Sequence, residues 1–184
     1  AKHNNVSVFI KKNNGVSASL NFAVDKINTN YFLQISPDIN FNFEDIEVFL
    51  EYAKKLNNQF AAIGPRYIDV DSKSHKQINQ KKEFGKIDSI HGSCMFINKE
   101  NFKLIGKFDE NFFLYFEETD YCYRAKKKGY LSYQINKLKV KSNGRSVRVS
   151  NDNKDKLKNI LIWHFIWSKF YFVKKKYNYL IAII

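Results

Sequence analysis

Residues Gly106 to Arg124 read GKFDENFFLYFEETDYCYR. An apolar aromatic run, Phe112-Phe113-Leu114-Tyr115-Phe116, ends directly against Glu117, Glu118 and Asp120. Carboxylates crowded at an aromatic wall have their pKa values pushed apart, and such groups are candidates for proton transfer. The same acidic residues also suit the first turn of a helix, where the dipole and free backbone N–H groups favour negative charge. The spacing predicts a helix from Glu117 to Lys128, closed by Gly129 as a C-terminal cap. Arg124 lies one turn beyond Asp120, so an i, i+4 ion pair is expected.

Outward from this segment the chain alternates strand and helix. Val6 to Ile10 is β-rich and reads as a strand, followed by a turn at Asn13-Asn14-Gly15. Ser17 is placed to cap a helix running to Ile27. Tyr31 to Ile35 reads as a buried strand, ended by Ser36-Pro37-Asp38. Phe43 to Leu56 reads as an amphipathic helix, and Phe60 to Ile63 as a strand stopped by Gly64-Pro65. Lys73 to Lys86 is polar and patternless, hence a loop. Ser93 to Ile97 is a strand and Lys99 to Ile105 a short helix. Tyr130 to Ile135 and Leu138 to Lys141 read as two late strands, and Asp155 to Lys176 as a long helix. The alternation predicts an α/β fold with a mixed, mainly parallel sheet flanked by helices.

The chain has 184 residues, 44% of them hydrophobic, enough for one domain with a real core. Its formal net charge is +13, which asks for an anionic partner or surface. Nine basic residues and no acidic one lie between Tyr121 and Asn151; a solvated face explains many of these equally well. The two cysteines, Cys94 and Cys122, have no CxxC spacing, so they read as packed, reduced thiols of a cytoplasmic protein. The chain starts without Met and stops within the apolar run Tyr179 to Ile184, as a piece of a longer chain would.

Several short segments can carry chemistry. Asp38 follows a predicted strand directly, where α/β sheets bind ligands; a turn aspartate is the plain alternative. Gly15, between Asn14 and Val16, permits a tight turn and close backbone approach ahead of a helix N-terminus. His91 stands beside a strand and reads first as a hydrogen-bonded structural residue.

These segments together resemble family 2 glycosyltransferases of GT-A fold, especially the rhamnosyltransferase-like branch. Gly106, Phe108, Asp109, Glu110, Phe112, Phe113, Tyr115, Glu117, Glu118, Asp120 and Arg124 match a segment that carries the family's catalytic carboxylate. The resemblance covers residues 6 to 150, read as a GT-A domain over 1–150, with 151–184 a basic, aromatic helix. It places the family's first strand and nucleotide-binding turn before Ala1. It implies an inverting sugar transferase acting on a nucleoside-diphosphate sugar, such as dTDP-rhamnose, and on a glycan or lipid-linked acceptor. Glu118 would be the catalytic base, and Glu117 would contact acceptor or sugar. Asn14, Gly15, Asn21, Gly92, Asp120 and Lys141 would serve substrate binding. Asp38 would hold a divalent cation, Mg or Mn; Lys141 stands where the family has a metal-site His, within Val140 to Ser146, and can neutralise diphosphate directly. No nucleic-acid partner is implied. The tail, Leu157 to Lys176, suits either an anionic membrane surface at the cytoplasmic face or packing on the core. Rival readings are a non-catalytic basic module that binds nucleic acid or anionic lipid, and an inactive sugar-binding relative.

Overall fold

The computed structural model describes residues 6–69, 76–142 and 151–183, with side chains in the last segment from 153. Six strands form one sheet: β1 (Tyr31–Ile35), β2 (Ile39–Asn40), β3 (Ile63–Tyr67), β4 (Phe84–Ile87), β5 (Cys94–Asn98) and β6 (Ser132–Ser142). Their order is β1-β5-β3-β6-β2, with β4 also paired to β6. The helices are α1 (Val16–Lys26), α2 (Ile46–Lys55, after a 3-10 turn at Phe43–Asp45), α3 (Lys99–Ile105), α4 (Glu117–Lys127), α5 (Asn151–Lys176) and α6 (Tyr179–Ile183).

Strand β5 shows why the sheet is covered on both faces. All five of its residues are buried. Side chains alternate across a strand, so Met95 and Ile97 join a core with Phe102, Phe108 and Tyr121 from the side of α3 and α4. Cys94 and Phe96 join the opposite core with Phe49, Tyr52 and Ala53 of α2. Phe49 stacks on Phe96 with ring centroids 5.2 Å apart. Burying one such side chain stabilises the fold by about 1.5–3 kcal/mol. Cys94 and Cys122 are both buried and unbridged, and burial pushes each thiol up.

The sheet is mixed, but its balance differs from the expectation. Of the five strand pairings described, only β3–β6 is parallel. The crossover β1-α2-β3 does leave β1 and β3 pointing the same way. The gap between them is filled by β5, antiparallel to both.

Other elements differ locally. Val6 to Ile10 forms no strand, and Val6, Val8 and Ile10 are exposed. Ser17 does not cap α1; the cap position is Gly15. Gly64 and Pro65 lie inside β3 rather than ending it, at a register shift against β6 between Pro65 and Arg66. Proline is tolerated at such a bulge. β4 occupies part of the expected polar loop, whose residues 73–75 lie outside the described residues. The two late strands are one. Asn136, which looks like a break, is buried, and its Nδ2 donates to the Asn79 and Lys82 carbonyls at 2.8 and 2.7 Å.

Candidate active site

The loop 108–116 is clamped before it delivers the carboxylates. Asn21 is buried, and its amide bonds both Phe108 N–H (3.1 Å) and Phe108 C=O (2.9 Å) while also donating to Glu110. Ser17 Oγ donates to the Phe112 carbonyl at 2.8 Å, and Val16 N–H to the Phe113 carbonyl at 2.8 Å. Gly15 has φ +97°, and a Cβ there would lie 2.7 Å from both Cα and O of Phe113. Only glycine fits that backbone and that approach.

The far side of the loop packs on α5. Phe112 meets Tyr171, Phe113 stacks on His164 at 4.6 Å, and Phe116 meets Phe165 and Phe172. Ser168 Oγ donates to the Leu114 carbonyl at 2.8 Å. Lys175 bridges Asp109 (2.7 Å) and buried Asp120 (2.6 Å). Burial works against the Asp109 carboxylate, but hydrogen bonds from Lys175 and Asn111 outweigh it and hold its pKa at about 2. Asp120 also pairs with Arg124 at 2.7 Å, as the i, i+4 spacing predicts. Arg124 in turn donates to the carbonyls of Ile105, Gly106 and Lys107.

These partners engage several of the residues expected to contact substrate. Asp120 and Asn21 are buried and engaged with the protein, so they position the loop and α4. Gly15 acts at Phe113. Asn14 is exposed beside it, and no contact among the described residues joins it to Asp38 or Glu118.

Glu118 faces a different set of groups. A Cβ at Gly92 would lie 3.5 Å from Glu118 Oε2 and 3.6 Å from Gln34 Nε2. Any side chain at Gly92 would thus start in van der Waals contact with the carboxyl. Gln34 Nε2 donates to the Gly92 carbonyl. Gln34 Oε1 and Glu117 Oε2 are buried without a hydrogen-bond partner among the described residues. Burial, followed by the negative charge of Glu117, pushes the Glu118 pKa up to about 8. Burial also raises Glu117. Sequence reasoning overlooked Gln34. Its signal was an amide at the fourth place of the otherwise apolar strand Tyr-Phe-Leu-Gln-Ile.

The same edge of the sheet carries Asp38. Ser36 N–H bonds the Ser93 carbonyl at 2.8 Å, tying the turn after β1 to the turn before β5. β2 pairs with the end of β6, Ile39 opposite Ser142 and Asn40 opposite Lys141. Ser142 Oγ donates to Asp38 Oδ2 at 3.3 Å. His91 is hydrogen-bonded, as its plain reading expected: its Nδ1 lies 2.7 Å from Ser93 Oγ, which lies 2.6 Å from Tyr67 OH. Burial lowers the His91 pKa, and the nearby Asp38 charge opposes this. Asp38, Tyr67 and Lys141 therefore cluster at the carboxyl ends of the co-directional strands β1, β3 and β6, where α/β sheets bind ligands. Ser146 and the basic residues Arg145 and Arg148 lie outside the described residues.

No set of three or more His, Cys, Asp or Glu side chains among the described residues could hold a metal. Asp38 offers one carboxylate. That donor set fits a cation shared with a phosphate ligand and does not fit a metal held by protein alone.

No protein-family model matches the chain. It is 27% identical to the low-salt glycan biosynthesis hexosyltransferase Agl10 of Haloferax volcanii, over 61% of this chain and 42% of that protein. It is 26% identical to the dTDP-rhamnosyl transferase RfbF of Shigella flexneri, over 72% of this chain and 50% of that one. The mannosyltransferase PcManGT of Pyrobaculum calidifontis, solved with GDP-Man and Mn2+, superposes with a TM-score of 0.58 at 13% identity, over 84% of this chain and 42% of that one. The chain is thus similar in sequence to two glycosyltransferases and shares the fold of a third. It spans half or less of the length of each of these relatives. The chain presents one carboxylate at the α4 N-terminus and another at the strand ends, with the segments 34–38 and 91–93 tied between them. A cleft of about 500 Å³ adjoins the first, lined by Ser89, Thr119, Tyr123, Phe172 and Lys176 among others.

Proposed function

We propose that this chain carries out inverting transfer of a hexose or deoxyhexose, rhamnose being the sugar we favour, from a nucleoside diphosphate to a glycan or lipid-linked acceptor. The observation that carries this reading is the Glu118 carboxyl, its Oε2 3.5 Å from where a Cβ on Gly92 would stand, with burial and the Glu117 charge raising its pKa to about 8. A base is most effective when its pKa lies near the working pH. The Glu118 carboxylate takes the acceptor hydroxyl proton as that oxygen bonds to the anomeric carbon. The bond from that carbon to the diphosphate oxygen breaks on the opposite face, and its electron pair leaves with the nucleoside diphosphate. Inversion follows from this single displacement. The cleft beside Thr119 and Tyr123 is the proposed acceptor side.

Asp38 and Lys141 meet the diphosphate in this reading. A divalent cation bound between Asp38 and the phosphates would neutralise the leaving group; Lys141 supplies positive charge on its own account. The rhamnose assignment is supported by the name of the Shigella relative and by the motif resemblance. Incubating the complete protein with dTDP-rhamnose, GDP-mannose and UDP-hexoses tests the reading. Nucleoside diphosphate release coupled to an inverted glycoside is the expected product. Absence of both release and transfer with every donor defeats it.

Two variants probe the assignments separately. Asp38→Ala should weaken nucleoside diphosphate binding by about ten- to a hundredfold, the worth of a charge-assisted contact. Calorimetric titration with and without Mn2+ reads this, and unchanged affinity removes Asp38 from the donor site. Glu117→Gln should move the acidic limb of the kcat/KM profile to lower pH. The Glu117 charge raises Glu118, so its loss lets Glu118 ionise earlier. The limb stays above the ordinary carboxylate range because burial, the larger cause, remains. A limb that does not move would detach Glu118 from the profile.

A further inference from the structure

Helix α5 is apolar on two sides. One side, through His164, Ser168, Tyr171 and Lys175, faces the loop 108–116 and Asp120. The other recurs at three- and four-residue spacing as Ile162, Trp163, Ile166, Trp167 and Phe170. On this side Trp163 is 60% and Ile166 61% exposed. The Trp163 and Trp167 rings stack at 6.3 Å. Helix α6 extends the patch: Tyr179 packs edge-on against Phe170, and Leu180 is 73% exposed. Leaving this much apolar surface in water is costly, and such patches mark interaction sites.

We infer that this face of α5 and α6 docks on an anionic lipid surface, lying in the plane of the interface. Charge selects this occupant. Lys169 and Lys174 are exposed on the same side of α5. From Lys156 to Ile184 the sequence contains six lysines and no Asp or Glu, and of the six Lys175 is turned inward to Asp109 and Asp120. A protein partner sealing the patch would have to bury or neutralise those ammonium groups, whereas lipid phosphates meet them at the level where tryptophan and tyrosine rings prefer to sit. No helix among the described residues is long and apolar enough to cross a membrane, so the geometry is that of a helix resting on the surface. The inference uses no residue of the transfer chemistry and stands apart from it.

Trp163 and Trp167 are the only tryptophans of the 184-residue chain, so their fluorescence reports on this face alone. With phosphatidylcholine vesicles containing phosphatidylglycerol, the chain should co-sediment and its emission should shift to the blue. Pure phosphatidylcholine should produce little of either. The pair Lys169→Gln with Lys174→Gln should weaken partitioning roughly thirtyfold, at about fivefold per lysine. Trp163→Ser with Ile166→Ser should abolish it, while circular dichroism stays that of the parent because both residues are exposed. Failure to bind phosphatidylglycerol vesicles overturns the inference. So does equal binding to neutral vesicles. Blue-shifted emission without lipid, accompanied by a concentration-dependent dimer in ultracentrifugation, would assign the patch to a second copy instead.

Discussion

Glu118→Gln lowers turnover by about a hundred- to ten-thousandfold in the complete protein, the usual worth of a positioned general base, and at the same time makes the fold more stable in alkali. The second half follows from the sign of the pKa shift. An unfolded glutamate titrates near about 4.3, while the folded Glu118 titrates at about 8. Between those values the folded chain holds a proton that the unfolded chain has released, so folding stability declines as pH rises through that window. Glutamine has no proton to lose and escapes the decline. Paired melts at about pH 5 and about pH 9 should therefore show wild type losing stability at the higher pH by up to a few kcal/mol more than the variant. Wild-type turnover in Glu118→Gln would place the base elsewhere. Identical pH dependence of the two melts would show that the carboxyl is not held up by its surroundings.

Gly15→Ala is expected to destabilise the chain by about 2–6 kcal/mol. Two costs combine: about 1–3 kcal/mol for an L residue at a backbone conformation reserved for glycine, and about 1–3 kcal/mol for crowding a packed site. The crowding is severe because the atoms met at 2.7 Å are the Phe113 Cα and carbonyl oxygen, which cannot swing aside as a side chain does. Relief requires Phe113 to retreat, and Glu117 and Glu118 are only a few residues further on, so activity should fall alongside stability. Asn14→Ala, one residue away and exposed, is the control and should stay within about 0.5 kcal/mol of wild type. Urea titration reads both. A neutral Gly15→Ala would mean that the α1 turn and the aromatic loop do not approach as closely as described.

Much of this was legible in the chain because it rests on local periodicity. The helical spacing of Ile46, Phe49, Leu50 and Ala53, the apolar run at Cys94 to Ile97, and the Gly129 cap each declare an element without tertiary information. The elements missed or misplaced depend on partners distant in sequence. Phe84 to Ile87 becomes a strand because β6 offers an edge, and Asn136 continues β6 because the loop at 79–82 satisfies its amide. The antiparallel insertion of β5 leaves no mark in an α/β alternation.

The site divides in the same way. Glu118, Gly92 and Asp38 stood out through family spacing, and the fold brings them to one edge of the sheet. Asn21 and Asp120 stood out equally, yet their polar atoms are consumed by Phe108, Arg124 and Lys175. A motif records that a residue is required without recording whether it faces ligand or protein. Gln34 and Lys175 escaped notice because their meaning lies wholly in what they touch.

Tyr115 and Phe116, the last two residues before the acidic pair, both hold left-handed backbone, with φ of 70° and 68°. For large aromatic side chains this is a strained state, costing on the order of 1–2 kcal/mol per residue. Contacts supplied by Phe165 and Phe172 hold it in place. Helix α5 is thus a splint for the bend that aims Glu117 and Glu118. Severing the chain near residue 150 would leave the sheet able to assemble, while the bend relaxed and the acidic pair swung out of alignment with Gly92.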